Sequence, residues 1–101
     1  MSLTIDELTE VVINHLLARY TTCNQFTHAQ HLAATIDAPP RNLGNALGKL
    51  REAGVIDVWG RNGRRYLYEL PDDLPERVVD SSYYNPAEHD EALEIAREAH
   101  R

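Results

Sequence analysis

Apolar residues recur with a helical period near the start of the chain. From residue 5 onward they follow each other at spacings of three and four positions, which is typical of the buried face of an α-helix. Thr4 and Glu7 have the spacing of a capping box at the start of this segment. We predict a first helix over residues 4–20, with an apolar face wide enough to contact both its own domain and a partner chain. The positions on this face are Ile5, Leu8, Val12 and Leu16, widened by Val11, Ile13, Leu17 and Tyr20.

The second predicted helix is short. Residues 21–26 have no helical pattern and form either a short β-segment or a turn. Thr27 and Gln30 then repeat the capping-box spacing, and apolar residues follow at helical intervals. The pattern therefore predicts a helix over residues 28–36, capped by Thr27.

A third helix begins at a pair of prolines. Pro39 and Pro40 end the second helix, and proline is tolerated in the first turn of the next because its missing N–H has no helical acceptor there. Gly54 stands where a left-handed residue closes a helix. We predict a helix over residues 40–53, with a buried stripe of Leu43, Ala46, Leu47 and Leu50.

The pattern changes from helical to extended after Gly54. Residues 55–59 and 66–70 are rich in β-branched and aromatic side chains, and the Asn62-Gly63 pair between them is a strong hairpin signal. The sequence predicts a two-stranded hairpin over residues 55–70. Its turn is flanked by Arg61, Arg64 and Arg65.

The last thirty residues are acidic and have a weaker pattern. Residues 71–85, with Pro71 and Pro75, are predicted to be an extended connection. Asn85 is positioned to cap a final helix, but the stripe of Leu93 and Ala96 is thin for a core element. We therefore divide the chain into a domain over residues 1–70 and an acidic linker with a C-terminal helix over residues 71–101. This second segment is either a dimerisation element or a tail.

Charge is distributed unevenly along the chain. The chain has 16 acidic and 10 basic residues and a net charge of −6. Residues 41–70 nevertheless carry six basic and three acidic side chains, whereas residues 71–101 carry nine acidic and three basic ones. A basic segment inside an acidic chain is typical of polyanion binding. Lys49 is the only lysine, and this bias toward arginine and acidic residues suggests a GC-rich genome and a halophilic source.

The order helix, helix, helix, hairpin and the run PPRNLGNALGKLREAGVI together resemble the winged helix–turn–helix regulators of the MarR and ArsR kind. Residues 40–43 match the start of the recognition helix in these regulators. Leu47 and Leu50 match its apolar stripe, and residues 54–56 match the segment that leads from this helix into the wing. The resemblance covers about residues 4–70. It implies an α+β, mainly helical fold, with three helices, a two-stranded wing hairpin and a C-terminal helical extension. It further implies a homodimeric transcriptional regulator that binds double-stranded DNA.

Two groups of residues are candidates for DNA contact. The face of the third helix opposite its leucines can enter the major groove, where arginine pairs with guanine and asparagine with adenine. Arginines at the hairpin turn suit the phosphate backbone or the minor groove. The helix candidates are Arg41, Asn42, Asn45 and Lys49, and the hairpin candidates are Arg61, Asn62, Arg64 and Arg65.

Three positions depart from the winged-helix pattern. Pro39 replaces the usual serine cap, and Gly44 and Gly48 occupy exposed positions where long polar side chains are usual. A glycine inside a helix costs about 0.8–1 kcal/mol relative to alanine. These glycines permit either close approach of DNA or packing against protein. The alternative function is therefore a winged-helix module that binds proteins and reads no DNA.

Other functions find little support in the sequence. Cys23, His28 and His31 have the spacing of three metal ligands, but no fourth ligand follows, and we expect Cys23 to be a small buried thiol. No catalytic motif, cofactor motif or small-molecule substrate site is recognisable. No apolar run approaches the length of a membrane span, and the first residues do not resemble a signal peptide. We expect a soluble, cytoplasmic protein that is not an enzyme.

Overall fold

A computed structural model describes residues 3–63 and 65–99. In this part the chain is α+β and mainly helical, as the sequence predicts. Five helices accompany one small sheet of three antiparallel strands. The elements are α1 (Ile5–Thr21), β1 (Phe26–Thr27), α2 (Ala29–Ala33), α3 (Pro40–Glu52), β2 (Asp57–Asn62), β3 (Arg65–Glu69), α4 (Leu74–Asp80) and α5 (Pro86–Ala99).

The first helix is the centre of the core. Its capping box is confirmed: the Thr4 hydroxyl accepts the N–H of Glu7 at 3.1 Å, and the Glu7 carboxylate accepts the N–H of Thr4 at 3.2 Å. The apolar face of α1 packs against α3, α4 and α5. The face that we expected to leave room for a partner chain is therefore buried by the chain's own helices. Its buried side chains are Leu8, Thr9, Val12, Ile13, Leu16 and Leu17.

The predicted hairpin is formed by β2 and β3. Gly63 at the turn has φ +65°, in the left-handed region that glycine favours. The register shifts between Val58 and Gly60, so Trp59 is an extra residue in β2. Such a bulge increases the local twist of the strand.

A third strand joins this hairpin, so the sheet is not the predicted two-stranded one. Phe26 and Thr27 form β1, which pairs with β3. Thr27 lies opposite Tyr68 and is buried, so the prediction that it caps the second helix is wrong. His28 caps α2 instead, because its Nδ1 accepts the N–H of His31 at 3.2 Å. The second helix is also shorter than predicted.

The third helix follows the sequence prediction closely. It begins at Pro40, its four predicted apolar residues are buried, and Pro39 at the N-cap makes no side-chain cap bond. Gly54 follows the helix with φ +79°. A left-handed residue of this kind ends a helix at low steric cost only when it lacks a Cβ.

The prediction of an extended connection over residues 71–85 is wrong, because α4 lies within it. Leu74 and Val78, one turn apart, are buried in the core, and Pro75 is tolerated in the first turn. Arg77 joins α4 to the hairpin through Asp57 at 3.3 Å and pairs with Asp73 at 2.9 Å.

The last helix belongs to the core despite its thin apolar stripe. Asn85 caps it as predicted, accepting the N–H of Ala87 at 3.2 Å. Leu93 and Ala96 are buried against α1 together with His89, whose imidazole completes the stripe. Across the described residues, no helix combines the length and apolar character needed to cross a membrane.

Candidate nucleic-acid interface

The solvent-facing side of α3 carries the predicted contact residues. Arg41, Asn42 and Asn45 are exposed, and Lys49 is half-buried. Their side chains have no hydrogen-bond or ion-pair partner among the described residues, so their donors and acceptors are available to a ligand. The helix holds them in this orientation because its opposite face is anchored in the core by three leucines.

Two clefts flank this side of α3. The larger cleft has a volume of about 740 Å³ and the smaller one about 360 Å³. Both are lined by Gly44 and Asn45 from α3 and by Tyr66 and Tyr68 from β3, so they adjoin there. Asn45 therefore lies at the centre of one continuous surface. Burial raises the pKa of Tyr68, with Arg51 acting in the opposite direction.

The hairpin contributes one predicted arginine to this surface. Arg65 is exposed and lines the smaller cleft, as Arg41 does. Arg61 instead lies over the ring of Tyr66, 5.5 Å from its centroid, and its Nε donates to the carbonyl of Gly63 at 2.6 Å. Arg64 and the side chain of Asn62 lie outside the described part of the chain.

The surface is basic, although the chain is acidic. Among the described residues, the charged side chains that line the two clefts are four bases, Arg41, Lys49, Arg51 and Arg65, and one acid, Glu52. None of the described lining residues lies beyond Tyr68. The acidic C-terminal segment packs through α4 and α5 against α1 instead.

The two unusual glycines of α3 face this surface. A Cβ built on Gly44 would lie 3.8 Å from the Cβ of Ala29, an ordinary contact, and a Cβ on Gly48 would meet no described atom within 4 Å. Packing within the described chain therefore does not require glycine at either position.

Comparison with known proteins leaves the chain without an assigned relative. No family model matches its sequence, and neither the curated proteins nor the solved structures include a match.

Several residues of this surface were not among the sequence candidates. Arg51 lines the larger cleft, and His28 and Gln30 line the smaller one. Tyr66 lines both clefts. Tyr66 could have been predicted from the strand pattern. Side chains two positions apart in a strand share a face, so Tyr66 lies on the same face of β3 as the buried Tyr68. The position of α2 depends on tertiary packing, so sequence alone did not indicate His28 or Gln30.

The possible metal ligands are not assembled into one site. Cys23 is exposed, contrary to the prediction, and has φ +63°. His28 and His31 are in edge contact, with ring centroids 5.7 Å apart, but Nε2 of His31 lies 2.8 Å from Arg19. Within the described residues, no group of three or more His, Cys, Asp or Glu side chains is placed to hold a metal ion.

Proposed function

We propose that this protein binds double-stranded DNA through α3 and the β2–β3 hairpin, as a small transcriptional regulator of the winged helix–turn–helix type. One observation carries the proposal. Unpartnered amide and basic side chains of α3 adjoin Arg65 of the hairpin on a single surface, while the acidic C-terminal helices pack elsewhere. A basic surface that includes the exposed face of a helix meets the electrostatic needs of duplex DNA and can approach its major groove.

The order of elements supports the winged-helix part of the proposal. Three helices precede a hairpin, and the third helix buries the leucines that match the winged-helix stripe while it exposes Arg41, Asn42 and Asn45. The strand β1 adds to the two-stranded wing and ties the hairpin to the segment before α2. The hairpin is thereby held in a defined position beside α3.

Each candidate has a chemical role in this arrangement. Asn45, at the junction of the clefts, can donate to and accept from an adenine edge, and Arg41 can donate twice to guanine. Arg65 is suited to phosphate oxygens. Arg61 stabilises the hairpin and does not contact DNA in this proposal, because its guanidinium already contacts the ring of Tyr66 and the carbonyl of Gly63.

A homodimer remains part of the proposal, through the first and last helices and not through the apolar face of α1 that the chain's own helices bury. The groove between α1 and α5 is lined by Ala18, Ala92 and Ile95, and Ile95 is 51 % exposed. A second copy packing there would present two DNA-binding surfaces related by a two-fold axis, matching paired half-sites. Sedimentation equilibrium of the native chain and of Ile95→Glu tests this contact, since a dimer formed there should dissociate in the variant.

Three variants test the DNA proposal. Arg65→Gln should weaken binding to all duplexes by a similar factor, because it removes a phosphate contact. Asn45→Ala should change the ranking among duplexes, because it removes a base contact. Arg97→Gln removes the same charge from α5 and should leave binding unchanged. The native chain and the three variants are tested against one duplex library. If all four bind with the same affinities and the same order of preferred duplexes, the proposal is contradicted.

A protein-binding module is the second candidate, and one observation favours it. Phe26 and Trp59 form an exposed edge-to-face pair on the sheet, with centroids 5.4 Å apart and Trp59 61 % exposed. Exposed aromatic residues are enriched at protein interfaces. Trp59→Ala should leave DNA binding intact if DNA is the ligand, and should abolish capture of a protein partner if the chain is such a module.

A further inference from the structure

The groove between the second half of α1 and α2 brings together polar side chains that take no part in the proposed DNA surface. It is an open cleft of about 320 Å³, and its lining shares no residue with the two clefts beside α3. The α1 side presents residues spaced by three or four positions, which fall on one face of the helix. The polar lining residues are His15, Arg19 and Thr22 from α1 and its C-cap, Asn24, and His31 and Thr35 from α2 and the turn after it.

Arg19 is the principal charge in this groove. Its Nη1 lies 2.8 Å from Nε2 of His31, and its Nη2 donates to the carbonyl of Phe26. These contacts use two of the five N–H donors of a guanidinium. Nε is buried and has no hydrogen-bond partner, and no carboxylate pairs with Arg19 among the described residues. The positive charge is therefore partly buried without a counter-charge, which is an unfavourable state for an ion.

The remaining polar groups of the groove are suited to an acceptor ligand. Because Nε2 of His31 accepts from Arg19, Nδ1 of that ring carries a proton and can donate. The Thr35 hydroxyl and the ring of His15 have no acceptor among the described residues. Among the described residues, no aspartate or glutamate lines the groove, although the chain has 16 acidic residues. Donors thus approach from both helices, and the acids that would repel an anion are absent from the described lining.

We propose that this groove binds a small tetrahedral oxyanion, with Arg19 as its main partner and His15, His31 and Thr35 as further donors. A tetrahedral anion accepts hydrogen bonds from several directions, whereas a planar carboxylate accepts them mainly in one plane. The same chemistry is offered by free phosphate or sulfate and by the phosphate group of a monoester. The site is independent of the proposed DNA binding, because its lining shares no residue with the clefts beside α3.

Binding at this groove should be linked to protonation. Burial lowers the pKa of His15, and the Arg19 guanidinium, followed by burial and His28, lowers the pKa of His31. Of the titratable and charged groups of α1 and α2, the described lining of the groove contains His15, Arg19 and His31, and His28 lies outside it. An anion favours the protonated imidazoles, so it should raise both pKa values. Affinity should therefore increase as the pH falls from about 7.5 to 5.5.

The histidine ring signals in NMR spectra provide a direct test. Sodium sulfate, whose charge is constant over this pH range, is titrated against sodium chloride of matched ionic strength. We expect saturable shifts at His15 and His31 and none at His89, which is buried between α5 and α1. Glycerol 3-phosphate in a parallel titration distinguishes a monoester site from a site for the free anion, and acetate should bind more weakly than both.

Variants separate a specific site from general ion effects. Arg19→Gln should weaken sulfate binding by at least about tenfold, the usual weight of a charge-assisted hydrogen bond. Arg97→Gln on α5 is the matched control and should bind as the native chain does. Because Arg19 also joins α1 to β1 and α2, Thr35→Val provides a second variant that leaves those contacts in place and should bind several-fold more weakly. Shifts that never saturate, or that persist unchanged in Arg19→Gln and Thr35→Val, would overturn the proposal.

Discussion

At the level of a single residue, replacing Gly48 should change both the free energy of unfolding and the affinity for DNA. It lies inside α3, where glycine costs about 0.8–1 kcal/mol relative to alanine, and a Cβ there would meet no described atom within 4 Å. Gly48→Ala should therefore raise the free energy of unfolding by about 0.8–1 kcal/mol in a urea titration. If the glycine allows DNA to approach the helix backbone, the same change should weaken DNA binding.

Gly54→Ala is the matched control for this substitution. Its φ of +79° is unfavourable for any residue with a Cβ, so the same chemical change should destabilise the chain by about 1–2 kcal/mol. A stabilised Gly48→Ala variant with unchanged DNA affinity would show that DNA does not approach this helix closely.

The pH dependence of stability provides a second test at the level of the residue. The Arg19 guanidinium is the main cause that lowers the pKa of His31 below its ordinary value of 6.5. The folded chain then binds fewer protons than the unfolded chain. The stabilisation is complete above pH 6.5 and decreases as the pH falls through the folded pKa. The urea midpoint in chloride buffer should decrease between pH 7.5 and 5.5.

His31→Gln isolates this contribution. Glutamine does not titrate in this range, so the part of the pH dependence that belongs to His31 should disappear, while the part from His15 remains. An identical decrease in the native chain and the variant would contradict the role of the Arg19–His31 contact.

At the level of the element, the helices with the strongest periodic pattern of apolar residues were the ones that the sequence predicted correctly. The helices α1 and α3 were predicted almost to the residue, because each carries several large apolar side chains on one face and a recognisable end. The helix α4 was missed because it has seven residues with few large apolar side chains and a proline in its first turn. The strand β1 has two residues and exists only through its pairing with β3, which is distant in sequence.

The burial of the polar residue His89 could not be predicted from the sequence. His89 completes the buried stripe of α5, but an imidazole is not scored as apolar, so the helix seemed too weak for a core element. Its Nδ1 accepts the N–H of Asn85 at 3.0 Å. Nε2 therefore carries the proton and donates to the carbonyl of Glu10 at 2.9 Å. This bond joins α5 to α1.

Replacing His89 tests whether α5 is an integral part of the fold. His89→Leu keeps a side chain of similar size but leaves the N–H of Asn85, just before α5, and the carbonyl of Glu10 in α1 without the imidazole as partner. The free energy of unfolding should decrease by about 1–3 kcal/mol, measured by urea denaturation. Glu91→Gln, on an exposed position of the same helix, should change it by less than about 0.5 kcal/mol. Equal stability of both variants and the native chain would show that α5 contributes little.

For the whole molecule, the arrangement of charge matters more than its sum. The net charge of −6 is unfavourable for DNA binding, yet Arg41, Lys49, Arg51 and Arg65 of the central third line one surface. The acidic helices α4 and α5 pack against α1. The sequence located the basic segment, because charge can be counted along the chain. It did not reveal that Arg61 stacks on Tyr66 or that Arg51 joins the surface, because those contacts depend on how the hairpin lies beside α3.

The most direct test of DNA binding is its dependence on salt. Fluorescence anisotropy of a labelled duplex is measured against increasing protein at salt concentrations from about 50 mM to 1 M. If α3 and the hairpin contact phosphates, the logarithm of the affinity should fall linearly with the logarithm of the salt concentration, and the slope divided by about 0.9 gives the number of contacts. We expect several contacts, and a slope smaller by about one in Arg65→Gln. Absence of binding at the lowest salt, or an affinity that does not depend on salt, would contradict the proposed function and favour a protein partner for the same surface.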